Sequence, residues 1–199
     1  NQTETMNTKS ILLAIASAAT LAFVPSCAND PITQANAANS SASKIARDSR
    51  EALRSLCDQK PGARALRSKA RGILVFPSIV KGGFVVGAQA GNGAMIRDTG
   101  EISGFYQTTG ASYGLQAGIQ KFGYALFLMD DEAFRSLNHS GGWEIGSSPS
   151  LVIVDQGIAT SLTTTTINKG TYAFFFNQRG LMGGLGLQGS KITRIHPQQ

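Results

Sequence analysis

The side chains with catalytic or metal-binding chemistry in this sequence are few: two histidines, His139 and His196, two cysteines, Cys27 and Cys57, and one acidic triplet, Asp130-Asp131-Glu132. Catalysis needs a base, a nucleophile or a metal set with partners within reach. His139 lies in the turn-like NHSGGW and His196 near the end of the sequence, and neither has a cysteine or acidic partner at ligand spacing. The acidic triplet heads the segment DDEAFRSLN, where acids favour the N-terminal end of a helix dipole. No catalytic residue, metal site or cofactor is therefore expected. The protein reads as a non-enzyme.

Glycine offers another kind of chemistry. GGFVVGAQAGNGAMI, residues 82–96, could suggest a phosphate-cradling loop. Such a loop needs a following helix, a Lys-Ser/Thr pair or a downstream acid, and none is present. All 23 glycines lie at or after Gly62, and most fall inside strand-like patterns. There they permit tight coiling and close backbone approach, so a strongly curved sheet is expected.

The charge is just as unevenly placed. The +6 of the whole chain arises in residues 44–81, where ten Lys and Arg face only Asp48, Glu51 and Asp58. Residues 82–199 balance seven basic with seven acidic residues. A basic segment beside a neutral body points to an anionic partner, either membrane or nucleic acid. Nucleic-acid recognition uses aromatics interleaved with the basic residues, and none occurs between Lys44 and Arg71. A membrane is the expected partner.

The elements that position these charges follow from periodicity. In residues 44–58, Ile45, Ser49, Ala52, Leu53 and Leu56 share one helical face. Arg47, Arg50 and Arg54 share a flank, with Lys44 nearby and with Asp48 and Glu51 expected to the other side. PGARALRSKARG predicts a short second helix with proline in its first turn. Its Arg64, Arg67 and Arg71 repeat the three-then-four spacing, and Lys69 lies nearby. The expectation is two arginine ridges facing anionic headgroups.

Strand patterns follow: 73–77, 84–91, 104–120, 122–130, 150–157, 159–167, 171–178 and 180–195. Asp98-Thr99-Gly100 has the chemistry of a hairpin turn. Trp143, Phe105, Tyr106 and Phe122 are expected in the core or at a barrel rim. Cys57, beside Leu53 and Leu56, is expected to be a buried structural thiol.

The N-terminal part reads as targeting sequence. From Met6 the chain has MNTK and then ILLAIASAATLAFV, too short for a comfortable transmembrane helix and suited to a signal segment. Val24-Pro25-Ser26-Cys27 is similar to a bacterial lipobox, with Pro25 as a departure and Cys27 as the acylation site. Residues 1–26 are then an extension plus signal peptide. Residues 27–43, small and polar, form a flexible tether, and 44–199 the domain. The expected location is the cell envelope, at the periplasmic face, with Ala28 favouring the outer membrane.

GILVFPSIVKGGFVVGAQAGNG, SYGLQAGIQ and GLMGGLGLQGSKI, in that order, resemble the SYLF domain, a lipid-binding module also described through yeast actin-binding members. The likeness runs from about Ile45 to Ile195, and with the lipobox it looks like a bacterial lipoprotein branch. A Trp-Ser-x-Pro block common before the GFYQTTG-like segment is replaced here by Glu101-Ile102-Ser103. The resemblance implies a compact α+β domain that binds phospholipid or phosphoinositide, with the helix at 44–58 contributing to membrane contact. Actin is not the expected partner of an exported protein. The full expectation is α+β, with basic helices on a glycine-rich, strongly curved, barrel-like antiparallel sheet that binds anionic phospholipid through Lys44, Arg47, Arg50, Arg54, Arg64, Arg67, Lys69 and Arg71. The alternatives are a scaffold for a protein partner in the cell envelope and a carrier holding lipid inside the sheet.

Overall fold

The computed structural model describes residues 41–84, 86–113, 118–137, 143–145, 151–154, 170–180 and 190–198. The signal segment, Cys27, the expected tether up to residue 40, Gly114, His139, Thr163 to Thr166 and the glycines from Gly183 to Gly189 lie outside them, while Ala42 and Ser43, expected in the tether, belong to the first helix. The first helix, α1, runs Ala42–Gln59, slightly longer at both ends than its periodicity suggests. Ser41 caps it, its side chain accepting a hydrogen bond from the Lys44 N–H at 3.3 Å. Its inner face buries Ile45, Ala46, Ser49, Ala52, Leu53, Leu56 and Cys57. Burying each large aliphatic side chain stabilises the packing by about 1.5–3 kcal/mol. Ser49, the polar residue on that face, donates to the Val75 carbonyl at 3.3 Å. Helix α2 (Pro61–Arg67) starts on Pro61, whose missing N–H is no loss in a first turn. No helix among the described residues is long and apolar enough to cross a membrane.

Eight strands follow: β1 (Gly72–Phe84), β2 (Val86–Arg97), β3 (Ile102–Tyr113), β4 (Gly118–Leu128), β5 (Trp143–Ile145), β6 (Leu151–Val154), β7 (Thr171–Gly180) and β8 (Ser190–Ile195). A one-and-a-half-turn helix α3 (Asp131–Ser136) lies between β4 and β5. The strands form one sheet in the order β5-β8-β3-β2-β1-β4-β7-β6. Every neighbouring pair is antiparallel except β6 and β7, which run parallel. The fold is α+β, as the sequence predicts.

The barrel-like, strongly curved sheet is not what the described strands make. They form an open sheet whose edges, β5 and β6, are only three and four residues long and do not pair with each other. The glycines have a different use. Strand β1 carries one residue more than either neighbour between Val75 and Val80, at Phe76-Pro77-Ser78-Ile79. Pro77 has no N–H to give a ladder, so a bulge is how a central strand tolerates it. The bulge turns Phe76 and Ile79 onto the same face, and both lean over β2. A Cβ on Gly93 would lie 2.3 Å from the Val75 carbonyl oxygen and 2.7 Å from the Phe76 ring. One on Gly91 would lie 2.7 Å from Ile79. These glycines admit bulky neighbours rather than coil the strand.

Each face of the sheet has its own core. Helices α1 and α2 cover the first, with Ile73, Val75, Ile96, Phe127, Tyr172 and Phe174 beneath them. The second holds Leu74, Phe76, Ile79, Tyr106, Phe122, Tyr124, Phe175 and Ile192, with Ala133 and Leu137 from the α3 segment. Phe76 and Tyr124 are direct cross-strand partners, their rings 4.9 Å apart. The Tyr124 hydroxyl donates to Thr108 Oγ1 at 3.0 Å, which satisfies an otherwise buried donor. Burial raises the Tyr124 phenol well above its ordinary pKa. Tyr106 and Phe122 are core residues and Phe105 is half-buried, while the Trp143 side chain lies outside the described residues.

Candidate functional site

Because α1 buries one face in the sheet, its opposite flank is presented to solvent. Lys44, Arg47, Arg50 and Arg54 are all exposed there. Arg47, Arg50 and Arg54 line a depression of about 310 Å³. Glu51 lines it with them, which corrects the expected segregation of the acids. At 100° per residue Glu51 sits only about 40° from Arg47, so the helical wheel already held the signal. Asp48 is also engaged with this flank, accepting from Lys44 Nζ at 2.5 Å and from Arg47 Nη2 at 3.3 Å. Exposed pairs of this kind contribute about 0–1 kcal/mol and can exchange for another anion. Arg50 and Arg54 make no ion pair among the described residues. They are the least compensated positive charges of the flank.

In the second segment Arg64, Arg67 and Arg71 are exposed, but they are engaged differently from those of α1. Arg64 turns back on α1, its Nε donating to the Cys57 carbonyl at 3.0 Å and its Nη2 to the Asp58 carbonyl at 3.1 Å. These acceptors belong to the last turn of α1, whose carbonyls have no helical partner, so Arg64 acts as a cap. Arg67 lies beside the Cys57 side chain and pulls its pKa down. Arg71 faces Asp131 at 3.7 Å, both groups well exposed. Lys69 is exposed. Lys60, outside the expected set, donates to the Phe175 carbonyl at 3.0 Å and ties the α1–α2 junction to β7. The repeated arginine spacing thus hides two tasks, because the second helix sits where its arginines can reach the end of the first.

The remaining candidates have structural roles. Cys57 is a free, buried thiol, its pKa raised by burial against the opposing pull of nearby Arg67. Asp130 caps α3, accepting from the Ala133 N–H at 2.8 Å, and its other oxygen accepts from the Gly170 N–H at 2.8 Å. No group of three or more His, Cys, Asp or Glu among the described residues could hold a metal ion. His196 is exposed.

No curated protein matches the chain. The strands from the C-terminal half of β3 to the end of β8 coincide with a family match. Residues 109–196, less than half of the chain, match the family model described as "Ysc84: Las17-binding protein actin regulator", and over this segment the chain is similar to that family.

Proposed function

We propose that the protein binds anionic phospholipid headgroups without catalysing a reaction, using Lys44, Arg47, Arg50 and Arg54 on the outer flank of α1. The observation that carries this reading is the depression of about 310 Å³ lined by three arginines on a helix whose other face is committed to the core. A rigid helix holds the guanidinium groups in place, and arginine can meet phosphate oxygens with two parallel hydrogen bonds. Each such residue near an anionic surface contributes about 1 kcal/mol, so three contribute about 3 kcal/mol, roughly a hundredfold in affinity. Arg64 is left out of the contact set because it holds the last-turn carbonyls of α1, whereas Arg67, Lys69 and Arg71 are exposed and remain outer members of the proposed set.

The same proposal includes the setting: export from the segment beginning at Met6, acylation of Cys27, a tether from residue 27 to the start of α1, and an outer-membrane anchor facing the periplasm. A tether would keep the domain near the bilayer, so weak headgroup affinity suffices. Actin, the partner associated with the family, is not proposed as a partner of an envelope protein. A protein partner in the envelope and a lipid carried within the sheet are the competing readings.

The test is co-sedimentation of the full chain carrying Cys27→Ser, so that no acyl chain contributes. It is run with phosphatidylcholine vesicles, with and without phosphatidylglycerol, at low and high salt. The expected result is anionic-selective, salt-sensitive binding that falls about a hundredfold when Arg47, Arg50 and Arg54 are all changed to Gln. Absence of binding to any vesicle overturns the proposal and directs the search to a protein partner.

A further inference from the structure

On the face of the sheet away from α1, the strand register assembles a buried polar row that crosses five strands. Lys81 on β1 is the direct partner of Gln89 on β2 and of Gln120 on β4. Gln89 pairs in turn with Gly110 on β3, and Gly110 with Ser190 on β8. Directly paired residues project to the same face, so all these side chains share one surface. It is the surface that carries Phe76, Ile79, Phe122 and Tyr124, two or more residues away along each strand. None of the polar members reaches solvent: Lys81 is 4% exposed, Gln89 and Gln120 5%, and Ser190 0%.

Burial of this kind requires partners, and only part of the row has them. Gln89 Nε2 donates to Ser190 Oγ at 2.6 Å. That bond passes over Gly110, where a Cβ would lie 2.9 Å from Ser190 Oγ and 3.1 Å from Gln89 Nε2. The glycine therefore makes room for this bond of the Gln89 amide. Its Oε1 is left buried without a hydrogen-bond partner, as is Gln120 Oε1 on the other side of Lys81. Lys81 forms no ion pair among the described residues. Beyond the row, Gly83 pairs with both Gly87 and Gly118, so the next position along this face has no side chains on β2, β1 and β4, and Ser112 of β3 is the partner of Gly87.

We propose that this row is an interior binding site for a phosphate ester that carries neighbouring hydroxyl groups, such as glycerol phosphate, with Lys81 binding the phosphate and the Gln89 and Gln120 carbonyls accepting from the hydroxyls. The donor and acceptor pattern sets the chemistry. A lysine ammonium offers three N–H donors and calls for an anion. The two carbonyls flanking it call for donors, which inorganic sulfate or a bare carboxylate lacks. Gly83, Gly87 and Gly118 put no side chain of their own beside Lys81, where the rest of the ligand would lie. The site is separate from the arginine flank of α1 and does not depend on it. The ester can be a soluble metabolite or the headgroup of phosphatidylglycerol.

Calorimetric titration of the full chain with sn-glycerol 3-phosphate, methyl phosphate and inorganic sulfate tests the proposal, alongside co-sedimentation with phosphatidylglycerol and phosphatidylserine vesicles. Saturable binding of glycerol phosphate, weakened at least tenfold by Lys81→Met and retained when Arg47, Arg50 and Arg54 are changed to Gln, supports the site with a soluble ligand. If the soluble ester does not bind, a Lys81-dependent preference for phosphatidylglycerol supports it with a lipid headgroup. Lys81→Met without ligand is expected to melt no lower than the parent, because it removes a buried charge. Should that variant fail to fold, Gln120→Leu decides. It is expected to abolish the preference for glycerol phosphate over methyl phosphate while circular dichroism stays unchanged. Ligand binding indifferent to both substitutions, or no binding of any of these probes, overturns the proposal.

Discussion

Replacing Gly93 by alanine tests whether the bulge at Pro77 controls the packing of β1 against β2. The added Cβ would stand 2.3 Å from the Val75 carbonyl oxygen and 2.7 Å from the Phe76 ring, roughly 1 Å too close for van der Waals contact. Val75 is paired with Ala94 immediately beside this point, so the carbonyl cannot retreat without disturbing the ladder. Phe76 is fully buried against Tyr124 and has little freedom to turn. Overpacking a core costs about 1–3 kcal/mol, and a backbone obstacle places this case near the upper end. At about 2–4 °C per kcal/mol for a chain of this size, the melting temperature should fall by roughly 6–12 °C. Gly123→Ala is the control: its Cβ would meet Phe176 at 2.3 Å, but that ring is only half-buried and can rotate. Urea unfolding of both variants beside the parent gives the comparison. A Gly93→Ala stability within about 0.5 kcal/mol of the parent, or above that of Gly123→Ala, refutes the argument.

Asp130→Ala removes the α3 cap and the bond to the Gly170 N–H together, and should lower stability by about 3 kcal/mol in urea unfolding. Asp130→Asn should lose less, since its carbonyl can still cap. Glu51→Gln removes the negative charge from the arginine-lined depression and should tighten phosphatidylglycerol vesicle binding about fivefold at low salt, with little change at high salt. The Cys57 thiol, its pKa raised by burial, should react with a disulfide reagent far more slowly in the native chain than in urea. Because the fold favours the protonated thiol, its contribution to stability is present below the ordinary value of 9.0 and is lost as pH rises through the raised folded value. Equal native and unfolded reaction rates at pH 8 would contradict that placement.

The local elements were legible because their causes are local. Apolar spacing in residues 44–58 defines the helix, Pro61 begins the next, and Asp98-Thr99-Gly100 closes a hairpin in which the Gly100 N–H meets the Arg97 carbonyl at 2.9 Å. A cysteine between leucines on the buried face was predictable for the same reason. The arginine flank of α1 also follows from its own periodicity, although the expectation that Glu51 lay to the other side was wrong.

What the sequence did not determine depends on which segments meet. Arg64 and Arg47 occupy equivalent places in a repeated spacing, yet one caps a helix and the other faces solvent, because only the packing of α2 beside α1 brings the Cys57 and Asp58 carbonyls within reach. Of the two uses the sequence allowed the glycines of β2, tight coiling and close approach, their neighbours from β1 show close approach. Lys81, Gln89, Gln120 and Ser190 lie far apart in the chain, and nothing local marks them as a group. Composition and periodicity determine which residues can form a helix or strand and which face is apolar. Strand order and register, being long-range pairings, decide which side chains share a buried row and which charges remain free to bind.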